Sequence, residues 1–285
     1  MGIDPFHEDV ARIALAAAGD HGFALAGGNA LVAHGVLRRE TEDIDLFSPE
    51  PGAPGAVAAA VREALVGSGY GAEIIRPPES HQGEFARLEV TRGDRTMHVD
   101  LARDWRQWPP VELELGPVLH LDDAVSSKVN AMVTRHLPRD FIDVAAVLGR
   151  YSRRELIRLT LTRDPGLRVL DFTDAARELD RLSNDTFRRY DLTDDDIDVL
   201  RQRFADWPRH EADDDEGRAV HAAVAEEERR ARQAVPGPAG SALAGQAYPP
   251  GRIAPEGGPA GPRNPPGRPG SAPEPPEGRH PHRSV

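Results

Sequence analysis

The apolar positions of the first half of the chain change repeatedly between helical and strand spacing. Apolar residues at three- and four-residue intervals predict helices, and short apolar runs ended by Gly, Pro or Asp predict strands. The predicted helices cover residues 10–18, 30–36 and 56–66, and the predicted strands residues 23–26, 44–47, 72–75, 84–90 and 96–101. This order of elements predicts a compact α/β arrangement around a mixed sheet.

The second half of the chain has a different pattern, because the strand signals end at about residue 121. Helical periods separated by Pro, Gly or Asn predict helices over residues 124–136, 139–148, 153–160, 173–182, 193–207 and 218–234. We therefore predict an α+β protein. Its mixed-sheet catalytic domain covers residues 1–110, and an α-helical domain covers residues 111–234.

The last 51 residues differ from both halves in composition. Residues 235–285 contain 14 Pro and 10 Gly, which predicts a disordered tail. Five Arg and three Glu give this segment a charge of +2. Since the net charge of the whole chain is −12, the first 234 residues carry −14. Such an acidic body argues against nonspecific coating of DNA, although a local basic groove remains compatible with it.

Several classes of protein are excluded by what the sequence lacks. The absence of Cys excludes disulfides, Cys-ligated zinc and thiol nucleophiles, and no His spacing is typical of a zinc site. The sequence contains neither an eighteen-residue apolar run nor a leader-like start, so we expect a cytoplasmic protein without a membrane span. The basic residues are 34 Arg and one Lys, Lys128.

Two short motifs carry the candidate chemistry. Asp43 and Asp45 flank Ile44, and strand alternation places both carboxylates on one face of the sheet. Neighbouring carboxylates repel each other, and their oxygen atoms are the ligands that Mg²⁺ prefers. Upstream, Gly27 and Gly28 stand where a helix begins, and glycines there let backbone N–H groups approach a phosphate. The two motifs together predict a phosphate-plus-metal site.

A third carboxylate would complete such a site. Asp100 lies between apolar residues of a strand that we predict to be central, where an unpaired acid is costly unless it shares a cation with Asp43 and Asp45. Asp94 and Asp104 are the alternative candidates for this third position. The acidic run at residues 194–196, by contrast, follows Thr193 and predicts a helix cap without a functional role.

These motifs resemble a known family. Residues 27–31 (Gly-Gly-Asn-Ala-Leu) and 39–45 (Arg-Glu-Thr-Glu-Asp-Ile-Asp) are similar to the AbiEii/AbiGii toxins of bacterial toxin–antitoxin systems, which include the MenT-like enzymes. They belong to the nucleotidyltransferase superfamily of DNA polymerase β type. A downstream signature of that family is also filled, by Lys128, Ala131, Arg135, Arg139, Asp140 and Asp143. One departure is Asn29, because the family more often has Ser or Thr there, although Asn can also cap the helix and face a phosphate.

The resemblance implies a metal-dependent nucleotidyltransferase that moves an NMP from an NTP to a hydroxyl of an RNA acceptor, such as a tRNA 3′ end. It also implies two Mg²⁺ ions and a cognate antitoxin. The implied metal ligands are Asp43, Asp45 and Asp100, which are catalytic together with Lys128. The implied nucleotide-binding residues are Gly27, Gly28, Asn29, Arg39, Thr41, Lys128, Arg135, Asp140 and Asp143.

Other interpretations stay open at this stage. Arg139, Asp140 and Asp143 are equally compatible with structural ion pairs at a helix start. The acceptor of the nucleotide is either RNA or a small molecule such as an antibiotic, and a third possibility is a binding protein with an inactive site. A local basic path for RNA would have to come from Arg38, Arg39, Arg135, Arg139 and residues 150–154. The mass of a labelled product would separate the two acceptors, and Mg²⁺-dependent nucleotide binding would argue against an inactive site.

Overall fold

The mixed sheet is built from strands in the first 118 residues of the chain. The computed structural model of the protein describes residues 4–39 and 41–234. Within them, seven strands pair in the order β3-β4-β5-β2-β1-β7-β6. The strands are β1 Ala24–Leu25, β2 Ile44–Ser48, β3 Gly71–Arg76, β4 Phe85–Arg92, β5 Arg95–Arg103, β6 Val111–Leu113 and β7 Gly116–Val118. The β2–β5 and β1–β7 pairs are parallel and the other pairs are antiparallel.

Three helices accompany the sheet. They are α1 Pro5–Ala18, α2 Gly27–Ala33 and α3 Ala53–Gly67, and a 3₁₀ turn covers Pro78–His81. Helix α1 begins at Pro5 because the Asp4 carboxylate accepts a hydrogen bond of 2.8 Å from the backbone N–H of Phe6. Apolar side chains of β2, such as Ile44 and Leu46, are fully buried. Strand alternation therefore turns Asp45 to the opposite face of the sheet.

The rest of the described chain is helical. Its helices are α4 Leu121–Arg135, α5 Pro138–Val147, α6 Arg153–Arg163, α7 Val169–Arg181, α8 Asn184–Arg188, α9 Asp194–Arg203 and α10 Asp215–Ala234, with a 3₁₀ turn at Glu211–Asp213. Helix α4 packs against α2, α5, α6 and α7, so it joins the helices to the sheet. The rings of Phe141, Phe204 and Trp207 form an edge-to-face cluster within this helical part.

The α+β class and the mixed sheet are confirmed. The capping box between Thr193 and Asp196 is also confirmed. Strands β6 and β7 were not predicted, because three-residue strands around Gly116 are too short to show a period. They carry the sheet past residue 110, and the division into two domains at that residue stays a prediction. Residues 235–285 lie outside the described residues, and none of the described helices is long and apolar enough to cross a membrane.

Candidate active site

One row of charged residues crosses three neighbouring strands. The parallel register of β2 and β5 places Asp45 opposite Asp100, and the antiparallel register of β5 and β4 places Asp100 opposite Arg87. Asp43 precedes β2 and lies beside His98, whose Nδ1 atom is 3.2 Å from an Asp43 carboxylate oxygen. The structure thus brings together the three carboxylates that the sequence suggested.

Arg87 is a member of this row that the sequence analysis missed. Its guanidinium donates two hydrogen bonds, of 2.6 and 2.7 Å, to the two carboxylate oxygens of Asp100. Both side chains are buried, and the bonds to Asp100 raise the pKa of Arg87. The sequence does contain a signal for this pair, which is the turn at residues 93 and 94. This turn fixes the register of the β4–β5 hairpin and so places Arg87 opposite Asp100.

Asp94 and Asp104, the alternative candidates for the third carboxylate, do not lie next to Asp45. Asp94 is part of the β4–β5 turn, at the far end of both strands. Asp104 forms an ion pair with Arg163 of α6. Asp100 is therefore the acid that the sheet places next to Asp45.

Asp45, which is partly buried, differs from the buried acids of the site, Asp100, Asp140 and Asp143. No described residue donates a hydrogen bond to its carboxylate or forms an ion pair with it. Burial, followed by the charges of Asp100 and Asp43, raises its pKa to about 6, although Lys128 and Arg135 act in the opposite direction. Asp45 is thus a carboxylate whose negative charge the described residues only partly balance.

The glycine pair lies against this carboxylate. Gly27 has a φ of +59°, and a Cβ atom there would lie 1.7 Å from an oxygen of Asp45. A Cβ atom on Gly28 would lie 2.9 Å from the side chain of Thr41. The backbone N–H of Ala26 donates a 2.8 Å hydrogen bond to the carbonyl of Asp45. Glycine is therefore required for the turn to approach the carboxylate this closely.

Asn29 does not have the position expected of a helix cap. Helix α2 begins at Gly27 after Ala26, and no side chain caps it. The Asn29 side chain instead donates a 2.8 Å hydrogen bond to the carbonyl of Asp43 and accepts one of 2.8 Å from the hydroxyl of Thr41. The expectation that Asn29 caps the helix is therefore wrong, because Asn29 lies inside the first turn and is directed toward residues 41–43.

A second group of charges lies where α4 meets α5. Asp143 is fully buried and forms two hydrogen bonds with Arg39, of 2.8 and 3.0 Å, and an ion pair of 2.9 Å with Lys128. Burial would raise the pKa of Asp143, but the charges of Lys128 and Arg39 prevail and lower it. Asp140, also fully buried, accepts bonds of 3.0 and 2.8 Å from Arg135. Both acids thus brace cationic side chains.

The predicted basic path for RNA is largely neutralised by such pairs. Arg39 and Arg135 are paired as described, Arg139 forms an ion pair of 3.1 Å with Glu42, and Arg153 is paired with Asp214 and Glu216. Of the described arginines in the predicted path, those that form no ion pair are Arg38, Arg150 and Arg154. Over the part of the chain that the structure describes, this path therefore lacks the continuous excess of cations that a long RNA contact would use.

The carboxylates fit a divalent cation only in part. Within residues 4–39 and 41–234, no group of three or more His, Asp or Glu side chains is arranged to hold a metal ion. The predicted three-carboxylate site is thus not preformed, because Asp100 is engaged by Arg87. Asp43 and Asp45 still have the chemistry that a Mg²⁺ site needs, because their oxygens are hard ligands and none of the described cationic side chains is bonded to Asp45.

Comparison with known proteins agrees with the motifs. Residues 10–213 match the family model described as the nucleotidyl transferase AbiEii toxin of type IV toxin–antitoxin systems. No curated protein sequence matches the chain significantly. The fold is similar to that of MenT4, a nucleotidyltransferase toxin of Mycobacterium tuberculosis H37Rv, with a TM-score of 0.51, 19% identity, and coverage of 80% of this chain and 90% of MenT4. JHP933 of Helicobacter pylori aligns with a TM-score of 0.48, 15% identity, and coverage of 81% and 99%.

Proposed function

The chain belongs to the AbiEii nucleotidyltransferase toxin family of type IV toxin–antitoxin systems, and on this premise we propose that Asp43, Asp45 and Asp100 form its catalytic centre. In the proposed reaction, a hydroxyl oxygen of the acceptor bonds to the α-phosphorus of an NTP. The bond from that phosphorus to the β-phosphate oxygen breaks and pyrophosphate leaves. The hydroxyl proton passes to a carboxylate of the centre.

The observation that carries this proposal is the state of Asp45. A partly buried carboxylate to which no described residue brings a bonded cation, with a glycine turn against one of its oxygens, is unfavourable in the protein alone. Asp43 and Asp45 would hold a Mg²⁺ ion, whose charge stabilises the triphosphate and the leaving group when it is bound. Asp100 keeps a lone pair on each oxygen despite its bonds to Arg87, so it remains the candidate ligand for a second ion.

The nucleotide contacts would come from two directions. On the sheet side, Gly27 lies against Asp45 and Gly28 against Thr41, and the backbone N–H groups of this turn would bind phosphate oxygens. On the helix side, Lys128 and Arg135 act electrostatically on Asp45, and they would neutralise the charge of the triphosphate. Asp140 and Asp143 would hold these cations in place, and most of the rate enhancement would come from such positioning and charge stabilisation.

An RNA end is the acceptor that we propose, with a tRNA 3′ end as one candidate and a cognate antitoxin as the cellular partner. Membership of the toxin family supports this choice. A single-stranded end needs only local contacts, so the neutralised arginine path does not exclude it. The same neutralisation favours a second candidate, which is a small-molecule acceptor carrying a hydroxyl group.

Incubation of the full-length protein with α-labelled NTP, Mg²⁺ and total RNA tests the proposal. We expect labelled RNA with the wild type and at least a 10³-fold lower rate with Asp45→Ala, because the variant removes a metal ligand. Mass analysis of the labelled product separates an RNA acceptor from a small molecule. Equal labelling by the two proteins would contradict the assignment of Asp45 as catalytic.

A further inference from the structure

Asn29 connects two segments of the site that are fourteen residues apart in sequence. Its amide nitrogen is 2.8 Å from the carbonyl oxygen of Asp43, and its amide oxygen is 2.8 Å from the hydroxyl of Thr41. Thr41 in turn lies 3.3 Å from Nδ1 of His7 in α1. This polar network therefore reaches from α1 through α2 to the residues immediately before β2.

The side chain of Asn29 is already committed to these bonds. Only 1% of the residue is exposed, so it offers almost no surface to a ligand. Both bonds are needed together, because one requires an amide donor and the other an acceptor oxygen. Asparagine supplies both groups at this reach, whereas Ser is shorter and Asp lacks the donor.

The bonds hold the backbone of the two acidic residues. Asn29 fixes the carbonyl of Asp43, and the N–H of Ala26 fixes the carbonyl of Asp45, each at 2.8 Å. Ala26 and Asn29 flank the Gly27-Gly28 turn. The distance from the turn to both acidic residues is therefore set by backbone and amide contacts that do not use the carboxylate oxygens.

From this arrangement we propose that Asn29 and Thr41 are positioning residues, which fix Asp43 for cation binding and do not contact the nucleotide. The proposal rests on the proposed function, in which Asp43 is a metal ligand. Residues that orient a metal ligand typically change metal affinity or activity by about 10- to 100-fold when they are replaced.

The test uses full-length wild type, Asn29→Ala, Thr41→Val and Thr41→Ser. Thr41→Val keeps the shape of the side chain and removes its hydroxyl, whereas Thr41→Ser keeps the hydroxyl. Mn²⁺ binding is measured directly by electron paramagnetic resonance without nucleotide, and kcat and the KM for NTP are measured separately. Circular dichroism and thermal unfolding report whether each variant is folded.

We expect Asn29→Ala to weaken Mn²⁺ binding about tenfold and to lower kcat about 10- to 100-fold. Thr41→Val should weaken Mn²⁺ binding by a smaller factor, and Thr41→Ser should restore it to within twofold. The KM for NTP should stay within about twofold in all three variants, because none of the altered groups touches the nucleotide.

Three results would overturn the proposal. One is a raised KM for NTP in Asn29→Ala with unchanged Mn²⁺ affinity, which would identify Asn29 as a phosphate contact. The other is equal Mn²⁺ affinity in Thr41→Val and Thr41→Ser, and this pair decides the matter if Asn29→Ala does not fold. Absence of Mn²⁺ binding by the wild type would also overturn it. If the expected Mn²⁺ pattern appears but no nucleotide is transferred, the proposed function fails while the positioning role is supported.

Discussion

Two sets of acids lie close to the site, and they are stabilised in different ways. In the helix set, Asp140 and Asp143, each carboxylate is bonded to cationic side chains. In the sheet set, Asp43, Asp45 and Asp100, the described residues leave the Asp45 carboxylate without a bonded cation. Accordingly, the pKa of Asp143 is lowered although burial opposes this, and burial raises that of Asp45 to about 6. The described residues balance the charges of the helix set and of Asp100, but they balance the charge of Asp45 only in part.

The two sets are also connected. Lys128 is bonded to Asp143 and Arg135 to Asp140, and both cations act electrostatically on Asp45. The helix set therefore holds Lys128 and Arg135 near the sheet set. Their charges act on Asp45 although neither side chain is bonded to it. Such an arrangement suits a polyanion together with a metal ion, because neither Lys128 nor Arg135 is bonded to Asp45 and both keep N–H groups for a further anion.

The largest effect is expected from Gly27→Ala, which changes the contact of the glycine turn with the sheet set. A methyl group there would overlap Asp45, because its position is 1.7 Å from a carboxylate oxygen. We expect nucleotidyl transfer to fall by more than about 10³-fold, since both the turn and the carboxylate must move. The rate is measured with labelled NTP, at enzyme concentrations that detect this range.

Gly35→Ala is the matched control for that change. Gly35 also has a positive φ, of +69°, but a Cβ atom on it would meet no atom within 4 Å. Both variants carry the backbone strain of about 1 to 2 kcal/mol for a left-handed residue, and only Gly27→Ala adds the clash. Similar losses of activity in the two variants would show that backbone strain, not contact with Asp45, is the cause.

Asp143→Asn changes the helix set, where we expect the largest loss of stability. The variant leaves Arg39 and Lys128 with a neutral partner in a buried place, and breaking buried pairs of this kind costs about 3 to 5 kcal/mol. Chemical denaturation at pH 7 measures the free energy of unfolding. As a control, Glu8→Gln breaks the exposed pair with Arg12 and should cost less than about 1 kcal/mol. A loss below 1 kcal/mol for Asp143→Asn would remove the distinction between the two sets.

Asp45→Asn should change the free energy of unfolding in the opposite direction to Asp143→Asn, so that the metal-free protein becomes more stable. The folded state raises the pKa of Asp45 from 3.8 to about 6, so between these values the folded state binds the proton more tightly than the unfolded state. Stability therefore falls as the pH rises through this window, and the ionised group costs up to about 3 kcal/mol above it. The variant avoids this cost and loses catalytic activity.

Unfolding of wild type and Asp45→Asn, measured with a chelator between pH 4 and pH 8, checks that expectation. The advantage of the variant should be largest above pH 6 and should shrink toward pH 4, and added Mg²⁺ should stabilise only the wild type. Asp43→Asn serves as the control, since Asp43 is partly exposed and lies beside His98, and it should gain less than about 1 kcal/mol. A destabilised Asp45→Asn would mean that Asp45 has a stabilising partner in the folded protein.

The comparison also shows which parts of the site a sequence can reveal. The downstream signature identified Lys128, Arg135, Asp140 and Asp143 from the sequence, and helical geometry relates residues three to seven apart to one another. The sequence did not predict which charged residues pair with one another, because pairing depends on tertiary contacts. The bonds of Asp143 to Arg39, 104 residues away, illustrate this limit.

Arg87 and Asn29 show the same limit within the sheet set. The register that places Arg87 opposite Asp100 follows from the hairpin turn at residues 93 and 94, so the sequence contains the information that predicts this pair. The direction of the Asn29 amide could not, because a residue in the first turn of a helix can face the helix end or a neighbouring loop, and only packing decides between them.

The smallest effect that we expect is that of Lys128→Arg, which keeps the charge linking the two sets. Lys128 is 9% exposed and shares Asp143 with Arg39, whose guanidinium already bonds to both carboxylate oxygens. A second planar guanidinium is wider than an ammonium group and would have to displace Arg39 or turn toward Asp45. We therefore expect kcat/KM for NTP to fall about tenfold, which corresponds to about 1.4 kcal/mol. Arg139→Lys, in a more exposed pair with Glu42, should stay within twofold of wild type. Full activity of Lys128→Arg would show that the helix set supplies only charge and not a shape fitted to the ammonium group.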